Sequence, residues 1–343
     1  MTRAAALAAY GSNSPSNRNR IINGDMRIDQ RNAGASVTPT NGAYTLDRWA
    51  TYVSQASKIT IQQNAGAVSP PTGFTSYLGI TVDGSANVTV GASDYFFIQQ
   101  TIEGYNVADF GFGAAGAATI TFSFWVRSSV TGTFGGALYN SGGSRSYPYS
   151  YVINSANTWE QKTVTVVGDT TGTWQTTTSP GLQITFSLGT GSTYNGAAGS
   201  WAGATYYGTT GAATPITTNS ATFYITGVQL EAGSVATPFE NRQYGQEYAL
   251  CQRYYQYGEN SSFGYMYSGN VTSGSAYWHT IYLPTELRAN GTATPASPAA
   301  VSNITNTTPS VESCTTRVLV LNFSANGTGA AYIRGTYTIS AEL

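Results

Sequence analysis

The stretch ATITFSFWVR, residues 118–127, decides the fold. Ala118, Ile120, Phe122, Phe124 and Val126 alternate with Thr119, Thr121, Ser123, Trp125 and Arg127. A period of two sends successive side chains to opposite faces, which a strand does and a helix does not. Phe lies on one face and Trp125 on the other, so this strand must be covered on both sides. The same period recurs outward from it. Leu182, Ile184, Phe186 and Leu188 alternate with Gln183, Thr185 and Ser187, and the pairs Ile59/Ile61, Ile80/Val82 and Val88/Val90 repeat it. Asp83-Gly84 marks a turn between two such runs. Repeated strands with Gly-rich loops predict an all-β, antiparallel sandwich from residue 21 to about residue 243.

The period then changes. Over residues 246–257, Leu250, Cys251, Tyr254 and Tyr255 fall at helical spacing, with Glu247 one turn earlier and Gly245 and Gly258 flanking. This predicts a short connecting helix within residues 244–258. Residues 259–343 return to alternation: Tyr277, His279, Ile281 and Leu283 oppose Trp278, Thr280 and Tyr282. They read as a small C-terminal β domain, small enough that oligomerisation is the simplest source of added stability.

Composition narrows the function. Of 343 residues only 9% are charged, against roughly 25% in an ordinary soluble domain. The 16 acids and 15 bases leave a net charge of −1. Such a chain has no long-range field to steer it onto nucleic acid or an anionic membrane. Aromatic residues at 13%, with 25 tyrosines, are those of a folded body rather than a disordered one. No apolar run reaches the ~20 residues of a membrane helix. Met1 to Tyr10 is only faintly like a secretion signal, so packaging on a particle is the expected route out of the cell. Cys251 and Cys314 lack metal-site spacing and read as thiols rather than as a zinc site, with a disulfide left open.

A set of motifs then carries a resemblance. Asn23-Gly24-Asp25-Met26, Asp47-Arg48-Trp49, the run from Gln99 to Gly104 and the run from Ser123 to Ser128 belong to it. Trp159, Gly172-Thr173-Trp174 and Leu188-Gly189-Thr190-Gly191-Ser192 continue it. So do the run from Phe223 to Gly233, Ala236-Thr237-Pro238-Phe239-Glu240, the segment from Tyr244 to Tyr255, Leu283-Pro284 with Leu287-Arg288-Ala289, the segment from Thr292 to Pro295, and Ser340-Ala341-Glu342-Leu343. Together they resemble bacteriophage tail-fibre and virion appendage proteins whose jelly-roll domain is similar to carbohydrate-binding modules. The resemblance covers nearly the whole chain except residues 1–20 and implies a jelly roll at 21–243, the helix at 244–258 and the small β domain at 259–343. It also implies a virion location and a homotrimer. Residues 1–20, polar and too small-sided to form a core, read as an anchoring peptide that docks on a larger assembly. In the anchoring peptide Arg3, Arg18 and Arg20 are candidates for contacts with other virion proteins.

Enzymatic chemistry finds little material. His279 is the one histidine, so Ser–His–Asp and metal–His sites lack partners. The nearest carboxylate pairs in sequence, Asp25/Asp29 and Glu240/Glu247, sit in motifs read as structural. The expectation is a non-enzyme without a cofactor. A structural Ca²⁺ between Asp25 and Glu231 is the one metal site weighed, and it is short of oxygen ligands.

Binding chemistry has more material. Residues 189–208 offer Tyr194, Asn195, Trp201, Tyr206 and Tyr207 among glycines, and residues 142–149 offer Arg145, Tyr147 and Tyr149. Rings give stacking faces and tyrosine hydroxyls give polar handles, as sugar recognition needs. The alternatives are that these loops fold back on the sandwich or form a subunit interface, where Tyr, Trp and Arg are also favoured. Thirteen arginines against two lysines, Lys58 and Lys162, fit the interface reading. The first functional expectation is a tail-fibre or receptor-binding subunit gripping host-surface polysaccharide. A head-fibre, decoration or collar protein with a structural role is second, and a polysaccharide-degrading tailspike third.

Overall fold

The computed structural model describes residues 18–140, 142, 144–259, 266–296, 300–305 and 308–343. Its first domain runs in chain order through β1 (Ala43–Leu46), β2 (Trp49–Val53), β3 (Ile59–Gln63), β4 (Leu78–Val82), β5 (Tyr95–Glu103), β6 (Ile120–Ser128), β7 (Gly132–Tyr139), β8 (Ser146–Ile153), β9 (Glu160–Val166), β10 (Pro180–Thr190), β11 (Asn195–Gly196), β12 (Gly208–Thr209) and β13 (Thr222–Ala232). A six-stranded sheet, ordered β1-β2-β5-β10-β7-β8, faces a five-stranded sheet, ordered β3-β4-β13-β6-β9. All neighbours in both are antiparallel. The halves β5-β10-β7-β8 and β4-β13-β6-β9 have the jelly-roll order, two interleaved Greek keys. The alternating rows meet between the sheets: Trp49, Phe96, Phe122, Phe124, Phe186 and Phe223 are buried. Each such side chain contributes about 1.5–3 kcal/mol by leaving water. Val88 and Val90, expected as a strand, lie outside any strand, because β4 already pairs with β3 and β13.

A bulge in β13 explains two of the motifs. Thr226 opposes Trp125 but Gln229 opposes Ser123, so β13 carries one extra residue there, with Gly227 at φ 62°. The bulge turns Val228 toward the segment before β1. The Val228 N–H donates to Gly24 O at 2.9 Å, and its carbonyl accepts from Asn19 Nδ2 at 3.1 Å. Asn19 Oδ1 accepts from the N–H of Leu230, and Arg20 N–H donates to Leu230 O. A Cβ on Gly24 would run into the Val228 carbonyl. Replacing Gly24 with Ala is therefore expected to destabilise the domain by about 1–3 kcal/mol, an overpacking cost. A urea midpoint unchanged from wild type would contradict this interlock.

The helix α1 (Tyr244–Gln252) is shorter than expected. It stops because Tyr255 to Glu259 form β14, paired with the last strand of the chain. The remaining strands are β15 (Tyr267–Val271), β16 (Ala276–Tyr282), β17 (Thr292–Pro295), β18 (Ala300–Ser302), β19 (Ser310–Cys314), β20 (Val318–Ser324), β21 (Gly329–Arg334) and β22 (Thr336–Ser340). They form three three-stranded antiparallel sheets, β14-β22-β17, β15-β21-β18 and β16-β20-β19, around Leu319, Leu321, Ile333 and Ile339.

The two β domains are joined by a buried polar seam. Arg48, at φ 69° in the β1–β2 turn and 1% exposed, reaches the carboxylate of Glu342 and the carbonyl of Thr101 and stacks 3.5 Å over the Tyr254 ring. Asp47 does not pair with its chain neighbour Arg48. Instead Asp47 accepts from the Gln30 backbone at 2.7 Å and the Gln30 side chain at 2.6 Å. Arg31 adds a second bond to Glu342, and Arg253 and Tyr254 clasp Glu103. Arg288 donates to the carbonyls of Ala341, Glu342 and Thr178, tying the end of the chain to the sandwich.

Asp47 gives the seam a pH dependence. Burial pushes its carboxyl up to about 6, against the opposing pull of Arg31 and the Gln30 hydrogen bonds. Folding thus favours its protonated form. That contribution is fully present below the ordinary carboxylate value of about 4 and is lost as pH rises through about 6. The difference corresponds to about 3 kcal/mol. Asp47→Asn should remove it: the stability of wild type relative to this variant should fall between pH 4 and pH 7.5 in urea titrations. A difference independent of pH would refute the assignment.

Candidate functional site

The outer face of the six-stranded sheet is built by the residues that alternate away from the core. On β5, Phe96, Ile98 and Ile102 enter the core, so Tyr95, Phe97, Gln99 and Thr101 face outward. Neighbouring strands add Tyr52 from β2, Tyr139 from β7 and Gln183 from β10. The rings touch in series. Tyr52 stacks on Phe97 at 5.0 Å, Phe97 meets Tyr207 at 4.8 Å, and Tyr207 meets Tyr139 at 5.5 Å and Tyr194 at 5.0 Å. Tyr95 closes edge-on against Tyr194 at 5.7 Å. Phe97 and Tyr139 are buried beneath, while Tyr52, Tyr95, Tyr194 and Tyr207 remain half-buried at the surface.

Amides run through this platform. Gln99 donates to Thr101 Oγ1 at 2.9 Å and to Gln183 Oε1 at 3.0 Å, and accepts from the Tyr139 hydroxyl. Asn41 donates to the Tyr95 hydroxyl at 3.2 Å. Desolvation pushes the hydroxyls of Tyr52, Tyr139 and Tyr207 up, so they stay protonated donors through any ordinary pH. Among the described residues no Lys or Arg belongs to this ring cluster. At its rim the Asp94 carboxylate is held below its usual value by hydrogen bonds from Ser54, Gly91 and Gln55. The surface offers ring faces flanked by neutral donors and acceptors.

The loop over residues 189–208 completes the platform and also closes the sandwich. The Tyr207 N–H donates to Tyr194 O, and Thr185 Oγ1 donates to Tyr207 O. Gly208 passes so close to Thr190 and Asn195 that a side chain would collide. These bonds set Tyr194 and Tyr207 side by side on the sheet face. Asn195 instead donates to Thr190 O at 2.7 Å within its own loop, and the Tyr206 ring packs on Gly196. Trp201 donates to Val167 O at 2.7 Å and packs against Phe112, Trp174 and Tyr147 at the sandwich end. Arg145 makes a two-pronged bond to Asp169 at 2.6 and 2.8 Å. Tyr147 is buried under Trp201. Tyr149 lies in the core, its ring against Phe122 and its hydroxyl on Thr185 O at 2.6 Å. The structure thus brings together Tyr194 and Tyr207, and places the other six in packing roles.

Sequence reasoning missed Tyr52, Tyr95, Phe97, Gln99, Tyr139 and Gln183 as candidates. A signal was present: Tyr95 and Phe97 are out of phase with Phe96 and Ile98, just as Trp125 is with Phe124. Of the anchoring residues, Arg3 lies outside the described residues. The Arg18 backbone donates to Glu240, and Arg20 pairs with Asp109 at 2.6 Å beside the Phe110 ring. Residues 18–20 are therefore part of the jelly roll rather than of a separate peptide.

The groups weighed for other chemistry are engaged in structure. Asp25 pairs with Arg27, and Glu231 accepts from Thr237 and Gln229, so these two do not converge on a metal. Among the described residues no three His, Cys, Asp or Glu side chains cluster as a metal site. Asp29 receives the N–H groups of Asn32 and Gly34, and Glu240 and Glu247 both bind Arg242. His279, half-buried against Tyr267 at 5.9 Å, has its pKa lowered by burial. Cys251 is a buried free thiol whose pKa burial raises, and Cys314 is also free.

No protein-family model matches the chain, and no curated protein matches it. Solved structures do. Tailspike protein 4 of bacteriophage CBA120, in its enzymatically active domain, overlaps 64% of this chain at 13% identity and a TM-score of 0.35. The match covers 22% of the tailspike's own length. TmCBM61, solved in complex with β-1,4-galactotriose, overlaps 63% of this chain and 99% of its own at 11% identity and a TM-score of 0.32. The family 11 carbohydrate-binding module of a Clostridium thermocellum cellulosomal cellulase overlaps 60% of this chain and 99% of its own, at 13% identity and a TM-score of 0.30.

Proposed function

We propose that this protein is a non-enzymatic attachment subunit of a phage particle, gripping an uncharged polysaccharide of the host surface through the outer face of its six-stranded sheet. One observation carries the reading: half-buried Tyr52, Tyr95, Tyr194 and Tyr207 lie beside the half-buried Gln183 carboxamide, over a buried layer of Phe97, Tyr139 and Gln99 that links the rings. Sugar rings stack on such faces through their C–H edges, and amides and phenols hydrogen-bond their hydroxyls. The lack of a cationic side chain in the cluster favours a neutral glycan over a polyanion. A face of this kind binds each repeat weakly, and several linked copies convert that into firm attachment. The virion location and the homotrimer rest on the motif resemblance. A structural role as head fibre, decoration or collar protein is the second reading, favoured by how many motif residues serve the chain's own packing.

The test uses the full purified chain. Binding to intact host cells should be competed by their isolated neutral surface polysaccharide, and no reducing ends should appear during incubation. Binding unaffected by the polysaccharide would exclude the attachment reading, and release of reducing ends would exclude the non-enzymatic one.

A further inference from the structure

At the sandwich end, away from the sheet face, the loops around β6, β9 and β10 leave an apolar hollow of about 120 Å³. Phe112, Trp174 and Leu182 wall it, and the small residues Ala114 and Gly181 leave it open. Trp174 is fixed: its indole N–H donates to Thr171 O at 3.1 Å and its ring meets Phe112 edge-on at 4.9 Å and Trp201 at 5.4 Å. Because that N–H is engaged inside the loop, the half-buried ring is left with its carbon face as the recognition surface. Gln175 lines the same hollow, and its carboxamide makes no hydrogen bond among the described residues. The neighbouring Arg145 is neutralised by Asp169, so among the described residues the mouth carries no unpaired cation.

We infer that this hollow is a second sugar site, selective for the acetamido group of an N-acetylated amino sugar. An apolar cavity of ~150 Å³ holds a benzene molecule, so this one has room for the smaller acetamido group. The methyl enters the apolar walls, the acetamido N–H and C=O meet the Gln175 carboxamide, and the pyranose edge lies against Trp174. A plain hexose fills neither the hollow nor the amide partner. This site shares no residue with the sheet-face platform.

The experiment titrates the full chain with N-acetylglucosamine and N-acetylgalactosamine, with glucose and galactose as controls. It reads tryptophan fluorescence and saturation transfer from the protein to sugar protons. The strongest transfer should reach the acetyl methyl. Ala114→Leu, which fills the hollow from an exposed position, should weaken binding of the acetylated sugars at least tenfold, and Gln175→Ala should weaken it severalfold. Tyr207→Ala should leave it intact. Equal binding of the plain hexoses would overturn the inference, as would an Ala114→Leu variant that binds normally. Loss in Tyr207→Ala alone would assign the sugar to the sheet face, overturning this site while leaving the attachment reading in place.

Discussion

Replacing Arg48 with Ala is expected to destabilise the protein by about 3–5 kcal/mol, the cost of removing one partner from a buried ion pair. Arg48 is 1% exposed and holds three groups at once: the Glu342 carboxylate, the Thr101 carbonyl and the Tyr254 ring. Without it Glu342 keeps only Arg31, and a carbonyl and a ring face lose their partner. Because these contacts bridge the sandwich and the C-terminal domain, the loss should also separate their unfolding. Urea titrations followed by tyrosine and tryptophan signals should no longer coincide. A change under about 1 kcal/mol, with coincident transitions, would mean that the seam is held elsewhere. Glu342→Gln should show the same direction with a smaller effect, since the amide still accepts from Arg48.

The second large effect concerns binding. Tyr207 touches four rings of the platform, those of Tyr95, Phe97, Tyr139 and Tyr194. Truncating such a central aromatic anchor costs about 2 kcal/mol, roughly thirtyfold in Kd. Tyr207→Ala and Tyr52→Ala should each weaken neutral polysaccharide binding by that order. Tyr207→Phe separates the stacking face from the hydroxyl and should retain most of the affinity. Trp278→Ala is the control: Trp278 is 57% exposed in the C-terminal domain, outside the platform, and its loss should leave binding unchanged. Calorimetry with the isolated polysaccharide reads all four. Full affinity in both Tyr→Ala variants would remove the platform from the account.

The jelly roll was legible because its strongest strands carry unbroken alternation. Phe122 and Phe124 on β6, and Ile184 and Phe186 on β10, face one core, and a period of two has one structural meaning. The helix end was not legible. Tyr254 and Tyr255 suit a helical stripe in sequence, and only the distant partner residues Thr336 to Ser340 make the segment from Tyr255 a strand. Arg48 shows the same limit, since its partner Glu342 lies 294 residues away. The aromatics of segments that read as loops in sequence were the hardest to sort, and one of these segments is in part strand β8. Tyr149 and Tyr207 both sit among polar and small residues in sequence, but one plugs the core and the other lies on the sheet face. The motifs that carried the resemblance turned out to hold the fold: Gln100 pairs both ways with the Ile22 backbone, and Gln229 braces Thr237 and Glu240. Gln99 is the one residue of those runs whose amide serves the platform.

The proposed function places the grip on a neutral sugar chain at the outer face of the six-stranded sheet. Its most direct test is nuclear magnetic resonance of the full chain with isotope-labelled tyrosine rings, titrated with neutral polysaccharide from the host surface. The shifts should concentrate on Tyr52, Tyr95, Tyr194 and Tyr207 and move together with one affinity. Shifts confined to tyrosines of the C-terminal domain, or none at saturating polysaccharide, would contradict it.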